Sequence, residues 1–326
     1  MRVVVTGGAG YIGSVAVARL AELGHEPVVI DSFWRGHRGA VANQVTTRDV
    51  DLRDADRVRD ALIDIRPDAV MHFAAATLVG ESVQQPSDYF INNLEGAMHL
   101  LAGMQASGTT RLVFSSTAAV YGEPETVPIS ETATTEPINP YGRSKLMIEQ
   151  MLPWHEQAWG LKYATFRYFN VAGATALQGE DHDPETHLIP AALQTLLGLR
   201  PHLALYGTDY PTPDGTAIRD YVHVSDLVDA HILALAKLDN TLGPMNLGTR
   251  DGFSVRQVID AVERVTGQKL SVETAPRRPG DPPVLIADAS RVRQVLGWNP
   301  SRSTLDEMVA SAWSWMQHHP RGYASD

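Results

Sequence analysis

Tyr141 and Lys145 stand four residues apart in the run Tyr141-Gly142-Arg143-Ser144-Lys145. On a helix, positions i and i+4 share a face about one turn apart. An ammonium beside a phenol favours the phenolate, so this pair could remove a proton well below the usual phenol value of about 10. The spacing alone is common, and a surface helix can carry the same letters. Weight comes from Ser115-Ser116-Thr117, which ends an apolar run upstream. A hydroxyl from Ser116 or Thr117 would enter the same space as the Tyr141 phenol. Hydroxyl, phenol and ammonium together can move a proton while a hydride moves elsewhere.

A hydride needs a carrier, and the N-terminal residues offer a place for one. Gly7-Gly8-Ala9-Gly10-Tyr11-Ile12-Gly13 follows the apolar run Arg2–Thr6 and opens an amphipathic stretch that ends at Gly24. Glycines at these spacings let the backbone approach a pyrophosphate resting on the next helix N-terminus. Asp31 lies 18 positions past Gly13, where a carboxylate would hold the adenine ribose hydroxyls. Its charge repels a 2′-phosphate, so NAD is expected over NADP. Arg35 and Arg38 follow closely and could bind that phosphate; their plain reading is a solvated loop. Asp51 and Leu52 would suit the adenine pocket, although a lone Asp51 is more often a strand-end cap.

The elements that must position these groups read as a doubly wound α/β fold. Val3–Thr6, Pro27–Ile30, Ala69–Phe73, Leu112–Ser115 and Tyr163–Phe166 have the look of buried parallel strands, with Val45–Arg48 a weaker candidate. Helical patterns near 12–23, 54–65, 87–106 and 141–159 separate them, which implies βαβ units. Pro153 should kink the last of these. Residues 1–175 are expected to form a Rossmann domain. Residues 176–326 should form a smaller mixed α/β domain with helices near 187–199, 225–238, 254–266 and 303–317, some of whose segments could return to the sheet.

Composition excludes several alternatives. A net charge of −11 argues against nucleic acid or an anionic membrane as partner, and requires local cationic clamps for any anionic ligand. The absence of cysteine removes disulfides, thiolate nucleophiles and cysteine-ligated metals. No apolar run reaches membrane-spanning length, and the few apolar residues before the glycines are too short for a signal peptide, so a cytoplasmic protein is expected.

Longer runs carry a resemblance. They include Phe73-Ala74-Ala75 with Val79-Gly80-Glu81-Ser82, Ser115–Ala118, Val120-Tyr121-Gly122, Pro140–Lys145 and Arg167-Tyr168-Phe169-Asn170. The C-terminal half adds Tyr210–Gly215, Ile218–His223 and Arg277–Asp281. The chain resembles, essentially end to end, the extended short-chain dehydrogenase/reductase family, and within it the UDP-glucose 4-epimerases. The resemblance implies NAD-dependent inversion at C4 of a UDP-hexose through a transient 4-keto sugar, with the hydride returned to the opposite face. It implies Tyr141 as acid/base, Lys145 as its tuner and ribose ligand, and Thr117 as a hydrogen-bond partner of the sugar. Asn93 and Phe169 would line the cofactor cleft beside Phe73, Ala74 and Ala75. Asn170 would contact substrate, Arg219 and Arg278 the pyrophosphate, Asp281 the uridine ribose, and Ala204, Leu205 and Tyr206 the uracil. A homodimer through the helices near 87–106 and 141–159 is also implied.

Several positions depart from the family pattern. Thr117 stands where serine is common, and Thr77 where some members carry a lysine. His187-Leu188 replaces an Asn-Leu pair and would contact substrate differently. Leu285 falls where some members carry a tyrosine lining the sugar pocket. His182 and His187 could bind a metal together, but solvated loop histidines are the plainer reading, and no metal is expected. Other readings stay open: a sugar-nucleotide 4,6-dehydratase, whose usual Thr-Asp-Glu is here Thr117-Ala118-Ala119, a simple NAD-dependent dehydrogenase, and a regulatory Rossmann protein without activity.

Overall fold

The structure is a computed structural model that describes residues 1–278 and 281–323. Pro279 and Gly280, from the middle of the Arg277–Asp281 run, lie outside the described residues.

Val3, Val4 and Val5 are fully buried, so successive side chains of the first strand fill both faces of the sheet. Such continuous apolar runs suit parallel strands covered on both sides. Seven strands pair in parallel: β1 (Arg2–Thr6), β2 (Glu26–Asp31), β3 (Thr46–Asp49), β4 (Ala69–His72), β5 (Arg111–Thr117), β6 (Lys162–Tyr168) and a final strand, Gly243–Leu247. Their spatial order runs from Gly243–Leu247 through β6, β5, β4, β1 and β2 to β3. The direction of winding reverses between β1 and β4, and ligands of open α/β sheets bind outside the strand ends at such a point. The weak candidate at 45–48 is real, at the sheet edge, where solvent covers the side chains that made its pattern faint. The segment Gly243–Leu247 carries no such early signal, with Gly243, Pro244 and Asn246 among its five residues, yet it closes the opposite edge.

One face of the sheet packs α1 (Tyr11–Glu22) and the helix Val224–Leu235 through residues such as Val15, Leu20, Leu227 and Val228. The other face packs Ala55–Ile65, Gly96–Ser107 and Pro140–Trp159 through Leu62, Leu101, Met104 and Leu152. A third core, around Leu193, Val262, Met308 and Trp315, joins Leu188–Leu196, Val255–Thr266 and Leu305–His318. The stretch expected as a helix over 87–106 is three joined pieces, with a π-helical turn at Phe90–Glu95 between Pro86–Tyr89 and Gly96–Ser107. Pro140–Trp159 continues as a single helix through Pro153.

Candidate active site

Two close approaches build the floor of the site. Gly7 adopts φ +70°, and a Cβ there would stand 2.5 Å from the Ala74 nitrogen, so only glycine lets the turn after β1 lie against the end of β4. Gly142 does the same for the catalytic helix, since a Cβ would meet the Ala119 carbonyl at 2.5 Å. That helix starts where Asn139 caps it, its side chain accepting from the Gly142 N–H at 2.8 Å, with Pro140 at the first position. Tyr141 is therefore fixed in the first turn, beside the end of β5.

The result is a cavity of about 780 Å³ that runs across the strand ends. One part is lined by Gly7, Gly10, Tyr11, Ile12, Gly13, Asp31, Asp51, Leu52, Phe73, Ala74 and Ala75. Its centre carries Thr117, Tyr141, Phe169 and Asn170, and its other part His187, Arg219, Asp281 and Leu285. A volume of that size suits a sizeable ligand held mostly by apolar walls and a few polar groups. Among the described residues no helix is long and apolar enough to cross a membrane.

The first part fits a dinucleotide on its own chemistry. Gly10 caps α1 without a side-chain acceptor, which leaves the first-turn N–H groups for an anion. Asp31 accepts from the Ala9 N–H at 2.9 Å and the Phe33 N–H at 2.8 Å, which ties the glycine turn to the acid. Burial nevertheless raises its carboxyl above the ordinary value. Both arginines beyond it are engaged by carboxylates, Arg35 partly buried and Arg38 about half exposed. Arg35 pairs with Glu81 at 2.7 Å, and Arg38 with Asp49 at 2.7 Å while covering the Phe33 ring.

At the centre, Tyr141 is 9% exposed, and burial raises its phenol while a hydrogen bond to the Thr117 hydroxyl draws it down. Lys145 is buried beneath it; Nζ donates to the Ser115 carbonyl at 2.9 Å and lies 5.1 Å from the Phe114 ring centre. Burial pushes this ammonium down to about 7, against the pull of Glu149. The i+4 geometry holds, but Lys145 reaches back to β5 while Tyr141 opens into the cavity.

Other expected residues fall elsewhere. Asn93 does not line the cavity. It is 1% exposed in the π-helical turn, bonded to the Ala76 N–H and carbonyl and to the Ser144 hydroxyl, which itself donates to the Tyr141 carbonyl at 2.8 Å. It holds the Tyr141 turn from behind. Arg278 stacks on Tyr206, its guanidinium 4.1 Å from the ring centre, and neither lines the cavity. Ala204 and Leu205 lie on the short strand Leu203–Tyr206, also outside it, as does Leu188. Arg219 and Asp281, expected as separate ligands, pair with one another at the cavity wall. Sequence reasoning passed over Trp34, Asn92, Tyr168, Glu180 and Pro184, all lining residues. Tyr168 was within reach, because it pairs with Thr117 in the sheet register.

The family model for the NAD-dependent epimerase/dehydratase family matches residues 3–248. The chain belongs to that family. It is 48% identical to the UDP-glucose 4-epimerase of Halalkalibacterium halodurans, over 100% of this chain and 98% of that one. Among solved structures it is similar to the UDP-glucose 4-epimerase of Brucella ovis in complex with NAD, with TM-score 0.92, 43% identity and coverage of 96% and 97%. The enzyme of Bifidobacterium longum in complex with NAD+ and UDP gives TM-score 0.94 at 36% identity, with 99% and 100% covered. Within this epimerase/dehydratase family, the first part of the cavity is where a dinucleotide fits the residues present, and the second part faces the paired Arg219 and Asp281.

Proposed function

We propose that the chain inverts C4 of UDP-hexoses, interconverting UDP-glucose and UDP-galactose with NAD as resident cofactor. The observation that carries this reading is one continuous cavity with dinucleotide-binding residues in one part, Tyr141 and Thr117 at the centre, and a guanidinium–carboxylate pair in the other. NAD, when bound, supplies hydride transfer and a positive charge. Tyr141 takes the proton of the 4-hydroxyl and later returns it; Thr117 steers that hydroxyl and stabilises the phenolate. Lys145, held at about 7, carries its charge for a substantial fraction of molecules near neutrality and favours the same phenolate when charged. Arg219 opens from Asp281 to the UDP phosphates, whose oxygens suit a guanidinium fork, and frees Asp281 for the ribose. Inversion requires that the nucleotide stay fixed while a flat 4-keto sugar turns in the cavity.

The experiment is incubation of the purified protein with UDP-galactose without added NAD. Formation of UDP-glucose supports the reading. A requirement for NAD in proportion to turnover marks a simple dehydrogenase instead, and loss of water to a 4-keto-6-deoxy sugar marks a dehydratase. We place the protein in the cytoplasm, in keeping with the absence of a spanning helix among the described residues. We also read it as a homodimer, supported by exposed Ile91, Met98, Met147 and Trp154 on the two helical stretches expected to pair. A monomer mass by light scattering would sink that part.

A further inference from the structure

We propose that Glu180, His182, Glu185 and His187 form a binding site for one zinc-class divalent cation at the wall of the cavity. The sequence Glu180-x-His182-x-x-Glu185-x-His187 compresses two imidazoles and two carboxylates into eight residues. The structure turns them inward on one point, with one ligand atom of each within 4.8 Å of all the others. Both histidines present Nδ1. His182 Nδ1 lies 3.1 Å from Glu180 Oε1 and 3.8 Å from Glu185 Oε2; His187 Nδ1 lies 2.8 Å from Glu180 Oε1 and 3.0 Å from Glu185 Oε1. Metal–ligand bonds of about 2.0–2.2 Å in a tetrahedron place the ligand atoms about 3.3–3.6 Å apart. The observed separations bracket that range.

Hydrogen bonding alone does not account for the arrangement. Glu180 Oε1 is met by both imidazoles, and Glu185 Oε1 is held by the His187 backbone N–H at 2.7 Å and by its ring at 3.0 Å, but Glu185 Oε2 is buried and makes no hydrogen bond. The Glu185 side chain is 2% exposed. A carboxylate oxygen left without a partner at that depth is costly, and a bound cation is the group that satisfies it. Imidazole and carboxylate donors suit zinc and its first-row neighbours far better than magnesium or calcium, which prefer all-oxygen shells. Four protein ligands leave no open position, so the ion is structural. It would bind the loop before Glu185 to His187, the cap of the helix Leu188–Leu196. Glu180, His182 and His187 also line the cavity, so the ion would stiffen that wall. Neither the depth of Glu185 nor the convergence of the four groups is written in the spacing from which the histidines read as solvated.

The test uses the full chain, stripped with chelator and dialysed against limiting Zn²⁺, with metal measured by inductively coupled plasma mass spectrometry and affinity by competition with a chromogenic chelator. About one zinc per chain is expected, with Co²⁺ giving the intense visible bands of a tetrahedral site. Glu185→Gln, which keeps shape and removes charge, and separately His182→Asn should each weaken zinc at least tenfold. Thermal melts of each variant without metal report whether it folds, and either folded variant decides. Zinc retained equally by the variants, no zinc retained by the wild type, or equal retention of Mg²⁺ would each overturn the proposal.

Discussion

His231 and His187 belong to different halves of the molecule, and the fold treats their imidazoles in opposite ways. His231 is wedged against Phe73 and Phe166, fully buried, and burial holds it down at about 4. His187 faces Glu180 and Glu185, and the Glu180 charge first of all raises it well above its ordinary value. In the sheet half, polar groups are placed by apolar packing and by backbone partners at strand ends. In the loop-built half they are placed by other charged side chains. The first kind of placement follows from chain direction and period. The second depends on which loops meet.

The comparison can be broken or sharpened by substitution. Tyr141→Phe deletes the working oxygen of the sheet half and little packing. The expected loss is roughly 10²–10⁴-fold in kcat with UDP-sugar affinity nearly unchanged; a variant with half the wild-type rate would remove Tyr141 from the chemistry. Arg167→Met comes next. Arg167 pairs with Glu149 at 2.5 Å, both side chains under 10% exposed, and donates to the Tyr121 hydroxyl at 3.0 Å. Leaving Glu149 buried without its guanidinium, with the Ser116 hydroxyl as remaining donor, should cost up to about 3–5 kcal/mol in denaturant unfolding, and adding Glu149→Leu should recover most of it. No recovery in the double variant would show that the pair matters for something besides its mutual charge.

Arg219→Met probes the loop half. A lost charged hydrogen bond is worth about 1.5–3 kcal/mol, so KM for the UDP-sugar should rise roughly 10–100-fold while kcat moves less. An equal fall in kcat with no change in KM would place Arg219 outside ground-state binding. Smaller still is a difference in pH response. His231 titrates near 4 folded and about 6.5 unfolded, so between those values only the unfolded chain binds the proton. Its stability contribution is therefore lost as pH falls from about 6.5 to about 4, at up to about 1.4 kcal/mol per pH unit. In the metal-free chain His187 has the reverse sign: its contribution is full below about 6.5 and disappears as pH rises through its raised folded value, whereas a bound cation requires the neutral imidazole. Unfolding curves across pH should be flatter on the acid side for His231→Gln, and unchanged slopes would contradict the burial argument.

The smallest effect concerns Leu285, which pairs with Arg219 in a short strand, packs against the cluster around Val120 and Tyr121, and lines the cavity. A leucine leaves more room than a tyrosine, so measurable but lesser activity on UDP-N-acetylglucosamine is expected, and Leu285→Tyr should lower its kcat/KM ratio to UDP-glucose several-fold, on the order of 1 kcal/mol. An unchanged ratio would show that Leu285 is not the gate.

What the sequence disclosed divides along the same line. Gly7, Asp31 and Thr117 are legible because each sits at or just past a strand end whose apolar run is visible, and a strand end fixes a position in a parallel sheet; Gly13, inside α1, is legible from its spacing in the glycine run. Tyr141 is legible from its four-residue spacing to Lys145 and from Ser115–Thr117 upstream; the Asn139 cap and Pro140 that fix it in the first turn emerge only in the fold. Asn93, placed in the cleft by the family resemblance, lies behind it in the π-helical turn, where it bonds to Ala76 and Ser144. Arg278 is turned onto Tyr206, and Arg219 onto Asp281, by partners in distant segments that no local pattern announces.

The last strand of the sheet, Gly243–Leu247, pairs with β6 along Ala164–Tyr168 although roughly seventy residues separate them in the chain. While the protein is being synthesised, β6 must wait with one row of N–H and C=O groups unpaired until that later segment emerges. An open edge of this kind is a template for another chain. Joining it requires closing a long loop, which slows folding more than it weakens the product. Cutting the gene after residue 175 would therefore yield a sticky, chaperone-dependent fragment instead of a free-standing nucleotide-binding module.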